Sequence, residues 1–298
     1  AFEVCSRPII LSFNYFAPET LKEALHLMKE HQPKPLAGGT DLLNNMKMDG
    51  LRPKGILYLL NIGELDYLDT GSGLRIGAAC RLSDIEDREE VKLRYPALWK
   101  GINVIGGRQI RNMATLGGNI CNASPGADTP PVLAALAAEA EIQRLGGSGE
   151  VQKRTLAVED LFTGPKKTVL EQDELVTAVR IPEPAEHSGQ SFGRLARVTL
   201  DIAKINCAVY LLRDKDRIGS VRIALGAVAP VPVRAKGLEK KLAGQKFCTE
   251  LVESSLKELS KDIKPIDDVR STAEYRFGTA KVLVRDGLIE AWKQAGGS

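Results

Sequence analysis

The first regular pattern in the chain is a helical repeat of apolar residues near its start. Thr20 to Glu23 has the sequence of a capping box, in which a threonine and a glutamate three residues later cap a helix. The pattern predicts a helix that ends at about His31, with one buried face formed by Leu21, Ala24, Leu25 and Met28. A short apolar stretch, Pro35 to Ala37, then predicts a strand that ends directly at two glycines.

Strands and helices continue to alternate beyond this point. Turn residues at 70–73 predict a hairpin, and the run Gly146 to Gly149 predicts a second hairpin tip. A second capping box is expected at Ser83 to Glu86, and prolines in a first turn introduce an alanine-rich helix at Val132 to Ala138. The predicted strands are Gly55 to Ile62, Leu74 to Cys80 and Val151 to Leu156.

The pattern changes after the proline-rich loop Ile181 to His187. Three strand-like runs come first, and three helical stretches follow them, which predicts a C-terminal α+β layer with a three-stranded sheet. The predicted strands are Phe192 to Val198, Ala203 to Leu212 and Ser220 to Val228. The predicted helices are Ala235 to Leu242, Thr249 to Ser260 and Ser271 to Trp292.

Composition and charge narrow the functional classes. The 298 residues are 43% hydrophobic and 27% charged, an ordinary balance for a globular protein of two or three domains. The net charge is +3 without a block of like charge, so nucleic acid is not expected as the main partner. No apolar run reaches the roughly 18 residues of a membrane span, and the first residues lack the order of a signal peptide. A soluble, cytoplasmic protein is therefore expected.

The spacing of cysteines and histidines argues against a metal centre in this chain. No Cys-x-x-Cys pair occurs, and no histidine lies at a metal-ligand spacing, so neither a zinc site nor an iron–sulfur cluster is predicted. Cys121 has no second cysteine or base beside it and is interpreted as a packing residue. The residues concerned are Cys5, Cys80, Cys121, Cys207, Cys248, His26, His31 and His187.

Two glycine-bearing segments carry the candidate chemistry. The first glycine segment, Pro35 to Leu42, contains Gly38-Gly39-Thr40-Asp41, whose backbone N–H groups and hydroxyl suit a phosphate. It lacks the spacing of a Rossmann turn or a Walker loop, and a tight strand-to-helix turn without a ligand explains it equally well.

The second glycine segment, Thr115 to Asp128, alternates small and polar residues over fourteen positions. Small side chains would let a flat ring or a ribityl chain lie against the backbone, while the polar ones supply directed hydrogen bonds. The alternative is an irregular crossover packed under the following helix. Two such segments in one chain indicate two walls of one extended site.

At these residues the sequence resembles the FAD-binding, or medium, subunit of the molybdenum hydroxylases. That family includes the xanthine, carbon monoxide and nicotinate dehydrogenases. The resemblance covers the whole chain and rests on three motifs in the family's order and spacing: Ala37 to Leu42, Ile110 to Asp128, and Asp201-Ile202-Ala203-Lys204.

The resemblance implies an α+β fold with two N-terminal α/β subdomains of the vanillyl-alcohol oxidase (PCMH) type and a C-terminal domain. The expected domains are FAD-binding subdomain 1 at residues 1–57, subdomain 2 at 58–180 and a C-terminal α+β domain at 181–298. It also implies a non-covalent FAD as the one redox group of this chain. The molybdenum cofactor and the 2Fe-2S clusters are expected on partner subunits.

Residue by residue, the resemblance implies two groups of FAD contacts and three weaker ones. The pyrophosphate and adenosine end would contact Lys34, Pro35, Leu36, Ala37, Gly38, Gly39, Thr40, Asp41 and Leu42. The ribityl and ring end would contact Thr115, Gly117, Gly118, Asn119, Ala123, Ser124 and Asp128. The three less firmly implied FAD contacts are Ile105, Val176 and Arg194. No catalytic residue and no metal ligand is expected in this chain. Relatives have an aromatic residue where this chain has Pro165, before Lys166-Lys167-Thr168, which puts that loop's shape in question.

The implied function is electron transfer from the partner 2Fe-2S clusters, through FAD, to NAD(P)+ or another acceptor. The partners would be a molybdenum-cofactor large subunit and a 2Fe-2S small subunit. A stand-alone flavin oxidase or reductase, and a non-catalytic nucleotide-binding assembly module, are the alternatives. The first would need acid–base residues, and the second would be colourless. The substrate, the final acceptor and the subunit stoichiometry do not follow from the sequence.

Overall fold

The computed structural model of the chain describes residues 12–297, in which strands and helices form three main sheets in succession. Cys5 lies outside the described residues. Within 12–297, no helix is both long enough and apolar enough to cross a bilayer. The mixed α+β fold predicted from the sequence is confirmed.

The first sheet is small and parallel, with strand order β1-β3-β2. Its elements are β1 (Asn14–Phe16), α1 (Leu21–His31), β2 (Lys34–Leu36), α2 (Leu42–Met48) and β3 (Gly55–Tyr58). The predicted first helix is confirmed, since the Thr20 hydroxyl accepts a hydrogen bond from Glu23 N at 3.2 Å and the helix ends at His31. The first glycine segment connects β2 to α2, at the carboxyl end of a parallel strand, where α/β folds commonly bind ligands.

The second sheet is antiparallel, with strand order β4-β5-β10-β6-β7. Its region contains β4 (Leu68–Asp69), β5 (Leu74–Gly77), α3 (Leu82–Glu86), α4 (Glu89–Arg94), α5 (Pro96–Asn103), α6 (Arg108–Arg111), α7 (Leu116–Cys121), α8 (Thr129–Ala135), β6 (Glu139–Leu145), β7 (Val151–Ala157), β8 (Phe162–Gly164), β9 (Lys167–Thr168) and β10 (Leu175–Ile181). Both predicted hairpins are confirmed, because β4 pairs with β5 and β6 pairs with β7.

The capping box predicted at Ser83 is wrong. Helix α3 begins at Leu82, and Ser83 lies inside it, 3% exposed, without capping the helix. Leu82 N donates to Ala114 O at 2.9 Å, and a backbone bridge joins Arg81 to Thr115. This long-range pairing fixes the start of the helix two residues earlier than the local pattern indicates.

The third sheet is an antiparallel meander, β11-β12-β13-β14. Its elements are β11 (Ser188–Leu195), β12 (Ile205–Asp214), β13 (Arg217–Gly226), β14 (Val233–Arg234), α9 (Lys236–Leu242), α10 (Thr249–Ser255), α11 (Leu259–Asp262) and α12 (Ala273–Gln294). The three predicted strands are present. The predicted three-stranded sheet gains a fourth strand, β14, because two residues are too few for an alternating pattern to reveal. The helix predicted to run from Thr249 to Ser260 is divided into α10 and α11.

Helix α8 joins the second and third sheets into one core. All seven of its residues are buried, and it packs against α5 and α7 on one side and against β12 and β13 on the other. Val132 and Leu133 of this helix share a hydrophobic cluster with Phe192, Ala208 and Ala224 of the third sheet. The residue that precedes α8, Asp128, is therefore held between the two sheets.

A cluster of ion pairs also links the second sheet's region to the third sheet. Glu159, in a 3-10 turn after β7, has a largely buried side chain. Its carboxylate lies 3.1 Å from Arg234 Nη1, 3.1 Å from Lys236 Nζ and 3.5 Å from Arg222 Nη2. Partial burial acts to raise the pKa of Glu159, but hydrogen bonds and charges from Lys236 and Arg234 outweigh it. The pKa consequently lies below its usual value of 4.5.

We expect Glu159→Gln to lower the free energy of unfolding by about 1 kcal/mol or more at pH 7, since three cations lose their carboxylate. A lowered folded-state pKa contributes stability above the unfolded pKa, and this stability is lost as the pH falls through the folded value. The difference from wild type should therefore shrink below about pH 4.5. Urea unfolding of both proteins at a series of pH values measures this difference in the free energy of unfolding. Glu253→Gln, at an exposed position of α10, is the control, and an equal, pH-independent effect of both changes would contradict the prediction.

Candidate functional site

The loop from β2 to α2 presents unpaired backbone donors. Within the described residues, the N–H groups of five successive residues, Ala37 to Asp41, have no protein acceptor. Ala37 to Thr40 are half-buried, and Gly39 has the left-handed φ of +72° that glycine adopts without strain. Successive partly buried N–H groups without protein partners form a concave set of donors, so this run is suited to bind an anionic ligand.

A backbone contact brings the two glycine segments together. A Cβ at Gly38 would overlap the carbonyl group of Met113 and lie 3.0 Å from Ala114 N, directly before the second glycine segment. On the other side, a Cβ at Gly118 would lie 3.9 Å from Ala37 Cβ. The predicted convergence of the two segments is thus present, and glycine at position 38 is what permits it.

The second glycine segment begins as a short helix, not as the run of loop predicted from the sequence. Thr115 caps α7, since its hydroxyl accepts from Gly118 N at 3.0 Å, and the side chain is buried. Leu116 N donates to Cys80 O at 3.1 Å, and Gly117 N donates to Ala78 O at 3.0 Å. These amides are already paired, so the helical start of this wall offers side chains and small contact surfaces and not free N–H groups.

The accessible part of this wall is formed by Gly118, Asn119 and Ser124. Gly118 is exposed, and Asn119 and Ser124 are half-buried, whereas Gly117 is buried against Ala78. The Thr129 hydroxyl donates to Asn119 Oδ1 at 2.5 Å, which orients the amide. Ala123 is buried and has a left-handed φ of 48°, and its carbonyl accepts from Lys166 N at 2.8 Å.

Lys166, in the loop after Pro165, lies close to both segments, and its N–H donates to Ala123 O at 2.8 Å. Its Nζ is 3.4 Å from Asn45 Oδ1 and 3.7 Å from Asp49 Oδ2, on and just after α2. The pKa of Asp41 is raised, chiefly by partial loss of solvent, while the charge of Lys166 and a hydrogen bond from Asn122 act in the opposite direction. The charge of Lys166 thus acts on Asp41, the last residue of the run of free N–H groups.

Asp128 forms the far end of the second segment and is almost fully buried. It precedes α8, yet its side chain makes no capping hydrogen bond to that helix. Asn206 Nδ2 donates to Asp128 Oδ1 at 2.8 Å, and Arg194 Nε lies 3.2 Å from the same oxygen. Burial raises the pKa of Asp128 to about 6, although Arg194 and Asn206 both favour the ionised form.

Arg194 also holds the loop that carries Asp201. Its guanidinium donates to Thr199 O at 3.0 Å and to Asp201 O. A Cβ at Gly126 would lie 2.7 Å from Ile202 Cγ2, so the loop packs directly on the second segment. Asp128, Arg194 and the Asp201 motif, which were predicted separately, therefore lie side by side in the structure.

The remaining predicted residues lie at the margins of this arrangement. Lys34, Pro35 and Leu36 form β2, and Leu42 is the first residue of α2. Ile105 is half-buried after α5, and its carbonyl accepts from Arg111 Nη1 at 3.1 Å. Val176 is buried in β10, next to Thr177, whose carbonyl accepts from Ala78 N at 3.0 Å. Direct ligand contacts by these residues stay predictions.

Cysteines do not contribute reactive groups here. Burial raises the pKa of Cys80, Cys121 and Cys207 to about 12, so all three are protonated thiols at neutral pH. Among residues 12–297, no group of three or more histidine, cysteine, aspartate or glutamate side chains could hold a metal ion. The arrangement is suited to an extended ligand that has an anionic group beside the first glycine segment and hydrogen-bonding groups beside the second.

Asn206 is the site residue that the sequence reading missed. It is a fully buried amide within the apolar run Ile205 to Val209 of β12. A single polar residue in such a strand was a usable signal, because a buried amide needs hydrogen-bond partners.

Comparison with known proteins agrees with this arrangement. Residues 11–184 match the family described as the FAD binding domain in molybdopterin dehydrogenase. Residues 190–291 match the CO dehydrogenase flavoprotein C-terminal domain.

Similar proteins align over nearly their full length. The carbon monoxide dehydrogenase medium chain of Hydrogenophaga pseudoflava is 32% identical, with 94% of this chain and 97% of that protein covered. The glyceraldehyde dehydrogenase medium chain of Sulfolobus acidocaldarius is 34% identical, with 93% and 98% covered. A solved structure of carbon monoxide dehydrogenase from Hydrogenophaga pseudoflava superposes with a TM-score of 0.90 at 32% identity, with 96% of this chain and 99% of that chain covered.

We expect Gly38→Ala to destabilise the fold by about 1–3 kcal/mol, because the added methyl group overlaps the Met113 carbonyl and must force the two segments apart. Gly63→Ala is the matched control, since a Cβ there has no neighbour within 4 Å, and it should change stability by no more than about 0.5 kcal/mol. Chemical denaturation of both variants measures the difference. Equal stabilities would show that the contact is looser than described.

Proposed function

This chain belongs to the family of FAD-binding subunits of the molybdenum hydroxylases, and we propose that it is the subunit through which electrons leave such an enzyme. Substrate is oxidised at the molybdenum cofactor of a large partner subunit, and electrons arrive through the 2Fe-2S clusters of a small partner subunit. They leave to NAD(P)+ or another acceptor. When bound, FAD supplies the chemistry, because a flavin takes up electrons singly or in pairs.

The observation that supports this proposal most directly is the run of free N–H groups at Ala37 to Asp41. A dinucleotide needs several donors at its pyrophosphate, and five successive half-buried or exposed amides without protein acceptors fit that need. Thr40 adds a hydroxyl, and Lys166 adds a positive charge nearby. We assign this end of the site to the pyrophosphate and adenosine of FAD.

The second glycine segment fits the other half of FAD. Gly118 lies at the point where this wall meets the first segment, since a Cβ there would be in van der Waals contact with Ala37 Cβ at 3.9 Å. Asn119, Ser124 and Asp128 line this wall with polar groups. We assign them to contacts with the ribityl chain and the flavin ring. Thr115 and Gly117 would contribute indirectly, because their hydrogen bonds fix the position of α7.

The chain's own residues need only bind and orient the cofactor. The thiol of Cys121, within the second segment, is held protonated by burial, so it is a poor nucleophile towards a flavin. Ile105 and Val176 belong to, or pack on, the main hydrophobic core and would pack beside the ring. Non-covalent binding follows from these roles, since none of them requires a bond to the cofactor.

We expect the purified full-length chain to carry FAD at about one molecule per chain, through the contacts assigned above. The absorption spectrum before and after acid precipitation tests this. Free FAD in the supernatant supports non-covalent binding, whereas flavin retained in the precipitate would contradict it. A protein that neither retains nor binds FAD would overturn the proposed function.

Gly118→Val should lower FAD content at least about tenfold, because its Cβ would lie 3.0 Å from Thr115 Oγ1 and its branches would add bulk beside Ala37, whose Cβ is 3.9 Å from that position. Gly147→Val, at the hairpin tip 146–149, is the control, since a Cβ there has no neighbour within 4 Å. The flavin-to-protein absorbance ratio of the folded variants gives the result. Equal ratios would place the flavin elsewhere.

The electron-transfer role predicts co-purification with a molybdenum subunit and a 2Fe-2S subunit from the native source. Reduction of the complex by its substrate should bleach the cluster and flavin absorbance, with electrons reaching this chain only when the small subunit is present. Stopped-flow absorbance of the complete complex and of the complex without the small subunit compares the two cases. Flavin reduction at an unchanged rate without the small subunit would contradict the proposed route.

A further inference from the structure

Asn206 links the third sheet to the second glycine segment. It lies on β12, fully buried, and its Nδ2 donates to Asp128 Oδ1 at 2.8 Å and to Ala127 O at 3.1 Å. Both acceptors are nearly eighty residues away along the chain. Asn206 is thus bonded to the backbone and to the side chain of the segment that we assign to the flavin end of FAD.

The strand beside Asn206 is adapted to this side chain. Its cross-strand partner is Gly226 on β13. A Cβ at Gly226 would overlap Asn206 Oδ1 and lie 3.0 Å from Pro131 Cγ, so only glycine leaves room for the amide in this orientation. Within the described residues Asn206 Oδ1 has no hydrogen-bond donor. An unpaired buried acceptor is unfavourable. The amide keeps this orientation because its Nδ2 group makes two hydrogen bonds, so the donor side determines how the side chain is turned.

The partners of Asp128 are unevenly divided between its two carboxylate oxygens. Asn206 Nδ2 and Arg194 Nε both approach Oδ1, at 2.8 and 3.2 Å. No donor from residues 12–297 reaches Oδ2. Asp128 also makes no capping bond to α8, although it occupies the capping position. The carboxylate is therefore turned away from the helix, with one oxygen fixed and the other available as an acceptor.

We propose that Asn206 is a positioning residue for FAD, which holds Asp128 so that Oδ2 accepts a hydrogen bond from a hydroxyl or N–H group of the flavin half. This inference rests on the proposed function. Arg194 cannot replace Asn206 in this role, because its guanidinium is shared with the carbonyls of Thr199 and Asp201. Within residues 12–297 the Asn206 side chain bonds only to Ala127 and Asp128, so its removal frees Asp128 to rotate.

A double-mutant cycle on the full-length chain tests the proposal. FAD affinity is measured by the change in flavin fluorescence when FAD is titrated into the apoprotein. Asn206→Leu, which keeps the volume but removes the donor, should weaken FAD binding roughly tenfold. In the background of Asp128→Asn the same change should have little further effect, because Asn206 acts through the Asp128 carboxylate.

Gln190→Leu is the matched control. Gln190 is a buried amide on β11 whose Nε2 donates to Arg94 O at 2.9 Å and whose Oε1 likewise has no partner in the described part of the chain. The substitution Gln190→Leu therefore removes a buried amide that has no contact with Asp128. It should lower stability to a similar degree and leave the dissociation constant for FAD unchanged.

A second pair of variants decides the question if Asn206→Leu fails to fold. Asn206→Asp places two carboxylates side by side and should weaken FAD binding at pH 8 more than tenfold. Combining it with Asp128→Asn restores an amide–carboxylate pair with the donor reversed. Tighter FAD binding by this double variant than by Asn206→Asp alone supports the proposal.

The outcomes separate this inference from the proposed function. A wild-type apoprotein that binds no FAD would refute the proposed function. Wild-type binding with an unchanged affinity in Asn206→Leu would overturn this inference alone. The same loss of affinity in the wild-type and Asp128→Asn backgrounds, or no recovery in the reversed pair, would also overturn it.

Discussion

The contact of Gly38 with the peptide of Met113 is the constraint on which the site depends. It places the loop between β2 and α2 directly against the residues that precede α7. Helix α7 is in turn bonded to the second sheet's region through Ala78 and Cys80. The relative position of the two walls is therefore set by backbone atoms, which side-chain rotation cannot disturb. Small residues are retained there because larger ones would separate the walls.

Local patterns were sufficient for the elements whose causes are local. The helix that ends at His31 has its cap and its apolar face within one short stretch, so periodicity alone located it. The hairpin tip at Gly146 to Gly149 was readable because glycine turns have few alternatives. Both glycine segments were found from composition, and their assignment to FAD came from resemblance to a family, since spacing alone left a ligand-free turn equally open.

Features with distant causes were missed or misread. The start of α3 depends on pairing with Ala114, so its capping box at Ser83 was misleading. The helical form of the second segment depends on the carbonyls of Ala78 and Cys80. The lone polar residue in β12 indicates a buried amide that needs partners, but its partner Asp128 is identified only when β12 is placed beside the second glycine segment. In each case the deciding partner lies tens of residues away, where sequence periodicity carries no information.

The burial of α8 has a consequence for how the protein can be divided. The first family match ends at residue 184 and the second begins at residue 190, which suggests two separable modules. Yet α8 belongs to the first match and is covered by β12 and β13 of the second. A fragment cut between them would expose α8, all seven of whose residues are buried in the complete chain. The two matched regions share one hydrophobic core and are therefore expected to fold as one unit.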